Sequence, residues 1–109
     1  MIYDDYLVVY IHDGSIWTVP IKVIADNRAR YYAKRDNVSF KDSLKEDTLP
    51  LFEEDIDELI DWAENNMSWD DVESYAAQIQ PPTNDYQASW LNGNKEVMCK
   101  GKVRKFFLI

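Results

Sequence analysis

The stretch Leu51 to Val72, LFEEDIDELIDWAENNMSWDDV, constrains the fold of this 109-residue chain more than any other. Phe52, Ile56, Leu59, Ile60, Ala63 and Met67 recur at helical spacing. Glu53, Glu54, Asp57, Glu58, Asp61 and Glu64 fill the opposite side, with Asp55 and Trp62 at the flank. The period predicts one amphipathic helix, whose apolar stripe must be buried against another layer. Asn65-Asn66 suits its end, because Asn tolerates the left-handed conformation. Ser68-Trp69-Asp70-Asp71 then reads as a fresh helix start, with Ser68 as N-cap and Asp71 at the third position. Met67 and Val72 have the spacing of a hydrophobic staple. A short helical turn followed by a strand over Ser74 to Gln80 is expected, ended by Pro81-Pro82.

The same stretch lies in the longest block without positive charge. Residues 46–94 hold thirteen Asp and Glu and no Lys or Arg, so they carry −13, against +1 for residues 1–45 and +4 for residues 95–109. The net charge of −8 disfavours a nucleic-acid backbone or an anionic membrane as direct ligand, and the asymmetry predicts one strongly negative surface. No apolar run approaches a membrane span, and the first twenty residues lack a signal-peptide pattern. One Cys leaves no internal disulfide, which fits a reducing cytoplasm.

Tyr6 to His12 and Ser15 to Val19 read as a hairpin about the turn His12-Asp13-Gly14, with Ile16 and Thr18 facing opposite to Trp17 and Val19. Ile21, Ile24, Ala25, Arg28, Ala29 and Tyr32 then form a helical stripe from about Pro20 to Arg35, with Thr18 a candidate cap. Asp36 to Pro50 is a connector. Ser39-Phe40-Lys41-Asp42 can start a short helix, Leu44 and Leu49 pin it, and Pro50 should stop anything regular before it. Tyr86 to Leu91, Asn92-Gly93 and Asn94 to Cys99 suggest a second hairpin, followed by a basic tail at 100–109 that ends in FFLI. The expected architecture is a single α+β domain over 1–109, with an antiparallel sheet of about four strands and two main helices on one face.

The inventory for catalysis is thin. His12 and Cys99 are the only residues of their kinds, too few for a zinc site, and the three Gly are isolated. From Asp55, the Gly and Glu that a calcium loop requires fall on Ile60 and Asn66. No catalytic residue, metal site or cofactor is expected. The acidic face has two readings: a solvated helix surface, or a decoy whose carboxylates imitate phosphate charge and occupy a nucleic-acid-binding protein. Trp62, Trp69 and Tyr75 are aromatic anchors in the second reading. Core packing is the alternative, expected for at least two of the three.

VIADNRARYYA (Val23 to Ala33) and DWAENNMSWDDV (Asp61 to Val72) resemble segments of small uncharacterised proteins encoded in bacteriophage genomes. The resemblance covers about a fifth of the chain and transfers no site residue. It implies a small accessory protein in an infected bacterial cytoplasm, where such proteins often bind and block a host factor, defence nucleases included. The expectation is therefore a non-enzymatic protein that meets a basic, nucleic-acid-binding host protein through Glu54, Asp57, Glu58, Asp61, Trp62, Glu64, Trp69 and Asp70. The alternative is a structural homo-oligomer built through an edge strand or the FFLI tail, with the acidic face merely solvated. A divalent-metal enzyme ranks third.

Overall fold

The structure, a computed structural model, describes residues 2–11, 14–80 and 94–98. Strands β1 (Tyr6–Tyr10) and β2 (Ile16–Pro20) form the expected antiparallel hairpin, with Leu7 opposite Val19 and Val9 opposite Trp17. Gly14 takes φ +89°, as a tight turn between them demands. Helix α1 (Ile21–Asp36) follows without a loop. Pro20 ends the strand and opens the helix, while Thr18 stays in the sheet and its hydroxyl donates to the Ala77 carbonyl at 3.4 Å. Thr18 is therefore a strand residue and not the cap of α1. Asn37 stops the helix in the left-handed conformation (φ 57°), the geometry that Asn tolerates best after Gly.

The connector is more regular than its sequence suggests. Ser39 caps α2 (Phe40–Asp42), its Oγ accepting from the Asp42 amide at 3.1 Å. The chain continues as a π-helical segment, Ser43–Thr48, and then as α3 (Leu49–Glu54). In the widened turn the Leu49 amide reaches the Leu44 carbonyl, five residues back. Pro50 sits at the start of α3, where a residue without an N–H is tolerated as in any helix first turn, so it does not interrupt the run.

The amphipathic stretch is two helices and not one. Asp55 breaks it with an extended backbone (φ −143°, ψ 101°), and α4 (Ile56–Asn66) begins after it. Helix α4 ends at the expected Asn pair, but through an extended Met67 and not through a left-handed Asn. The capping box follows as read: the Ser68 amide donates to Asp71 Oδ2 at 2.8 Å and starts α5 (Trp69–Val72), with the staple residues Met67 and Val72 both buried. A 3-10 turn, Glu73–Tyr75, leads to β3 (Ala77–Gln80). Strand β4 (Asn94–Met98) pairs with β1, and the strand order is β3-β2-β1-β4, antiparallel throughout. The α+β class with an antiparallel sheet is thus as expected. The arm Tyr86 to Leu91, the turn Asn92-Gly93, His12, Cys99 and the tail 100–109 lie outside the described residues.

Alternation along the strands sorts the core. Leu7, Val9, Ile11 and Val19 meet Ile24, Ala25, Phe52, Leu59, Ala63 and Val72 from the helices in one cluster. The opposite sheet face buries Val8, Tyr10 and Ile16 in a smaller cluster of strand residues alone. No helix among the described residues is long and apolar enough to cross a membrane.

Candidate acidic docking surface

The break at Asp55 sets the geometry of the acidic face. Aspartate is among the strongest N-caps because its short carboxylate accepts from amides that the first helical turn leaves unpaired. Here Asp55 Oδ1 accepts from the Asp57 amide at 3.0 Å, and the Asp55 carbonyl accepts from Glu58 at 3.1 Å. Asp57 and Glu58 consequently lie in the first turn of α4, where the helix dipole favours negative charge. Glu54 and Glu58 are on separate helices and do not repel as an i,i+4 pair. Asp61, further along, accepts from Asn65 Nδ2 at 2.7 Å.

Helix α4 buries Leu59 and Ala63, while Ile56, expected inside, is 36% exposed because the restarted helix turns it outward. Of the eight residues read from the sequence, Glu54, Asp57, Glu58, Asp61 and Asp70 are exposed. Asp57, Asp61 and Glu64 follow one another along a single ridge at i, i+4 and i+7, with neighbours about 5–6 Å apart. Glu64 and Trp62 are half-buried. Glu54 and Asp70 sit on α3 and α5, off this ridge.

The three aromatic candidates separate. Trp69 is a core residue, 3% exposed and edge-on to Trp17 at 5.2 Å, so a partner cannot reach it. Its place directly after the Ser68 N-cap, between the two staple residues, turns it inward. Tyr75 is 59% exposed. Trp62 lies in a seam between α4 and α1: its Nε1 donates to Asn27 Oδ1 at 2.9 Å, and its ring is 5.6 Å from Tyr31 and 5.8 Å from Tyr32. Tyr31 is 55% exposed and carries this seam to the surface. Sequence reading placed Tyr32 on the buried stripe and assigned nothing to Tyr31. The adjacent Tyr pair on α1 was a signal, but its partner Trp62 lies thirty residues away.

A cleft of about 470 Å³ opens between α1 and the turn after α4, walled by Lys22, Arg30, Asp26 and Asp71 among others. Its charges are of both signs, so it selects no ligand charge. At its margin the Tyr3 hydroxyl donates to Asp26 at 2.9 Å, and burial, then this bond and the nearby carboxylates, push the phenol up to about 12. Among the described residues no group of three or more His, Cys, Asp or Glu could hold a metal ion.

No protein-family model matches the chain, and no curated protein or solved structure matches it either.

Proposed function

We propose that the α4 ridge and the Trp62–Tyr31 seam beside it dock a basic surface of another protein, and that the chain is a non-enzymatic accessory protein of the bacteriophage type. One observation carries the reading. Asp57, Glu58 and Asp61 are exposed together on one helix, and none pairs with a Lys or Arg among the described residues. Their potential is available to a partner, and it steers encounter and selects a cationic face. Trp62 and Tyr31 supply rings of the type that interface hot spots favour. The mechanism is occlusion: carboxylates one helical turn apart take the place of phosphates on a nucleic-acid-binding host protein and keep its substrate away.

The test compares native protein with D57K/D61K, both immobilised and exposed to bacterial lysate at low and moderate salt. Far-UV circular dichroism confirms that the variant folds. A nucleic-acid-binding protein retained by the native form alone, and released by duplex DNA, supports the reading. Equal retention by the charge-reversed form refutes it.

A further inference from the structure

We draw no further inference here: the strongest candidate, the apolar patch of Val8, Tyr10 and Ile16 on the sheet face turned away from the helices, carries none because nothing among the described residues shows what covers it.

Discussion

Replacing Arg28 with Met tests how α1 is fastened to the helices it packs on. The Arg28 side chain is 11% exposed, and its Nη1 donates to Asp47 Oδ2 at 3.1 Å and to Thr48 Oγ1 at 2.9 Å. Its guanidinium also lies 4.5 Å from the Tyr32 ring centroid and about 6 Å from those of Trp62 and Phe52. Met keeps the stem and removes the head, so packing is largely retained. The Asp47 arm is half exposed and contributes about 0.2–1 kcal/mol, less in salt. Thr48 is fully buried, and a charged hydrogen bond to it contributes about 1.5–3 kcal/mol. The Tyr32 face adds about 0.5–1 kcal/mol. R28M should therefore lose about 3 kcal/mol, most of it through Thr48. Urea unfolding followed by circular dichroism, with an unchanged m value, measures this. Adding T48V to R28M should recover part of the loss, since removing both partners of a buried bond costs less than orphaning one. Coupling between Arg28 and Thr48 should exceed that between Arg28 and Asp47 and should persist at high salt. A loss below about 0.5 kcal/mol, or equal couplings, would refute this account.

Removing the Asp55 carboxylate in D55A should cost about 0.5–2 kcal/mol, measured the same way, and no change would mean that the break in the acidic stretch does not depend on this cap. W69A should cost about 3–5 kcal/mol as a core deletion and W62A clearly less, and the reverse order would place the wrong tryptophan inside. Tyr3 should ionise near pH 12, not near its ordinary 10.0, visible as a late step in ultraviolet titration that Y3F removes. Because the folded phenol holds its proton longer than the unfolded one, its contribution is intact below pH 10 and fades as pH rises towards 12. Parallel loss of stability by wild type and Y3F across that window would count against it.

The sequence was most legible where one local rule acted unopposed. Alternation in Ser15 to Val19 sorted the two faces of β2, the period-3.6 stripe placed α1, and Ser68 with Asp71 announced α5. It misled where two local rules compete. Phe52, Leu59 and Ala63 keep helical spacing through Asp55, and that spacing hid a second pattern, Asp55-Ile56-Asp57-Glu58, which is itself an N-cap followed three residues later by Glu. Sequence alone predicts a stop at Pro50 because proline disfavours the α conformation in the residue before it, whereas Leu49 takes that conformation (φ −66°, ψ −43°) at the end of the widened turn. The acidic residues of the candidate site were visible as composition. The ring that joins them, Tyr31, was not, because nothing local shows that α1 packs beside Trp62.

The strand order has a consequence for how the chain must fold. The hairpin β1–β2 closes over a few residues, yet β1 is completed by Val97 opposite Leu7, ninety positions later, and β2 by Ala77 opposite Thr18. The two inner strands therefore emerge first and wait for both outer ones. Each late pairing must first meet the entropy of closing a long loop, so folding should be slow for a chain of this size and all-or-none across the sheet. A nascent chain holding only the hairpin and α1 presents unfinished strand edges, which makes early synthesis its most aggregation-prone interval.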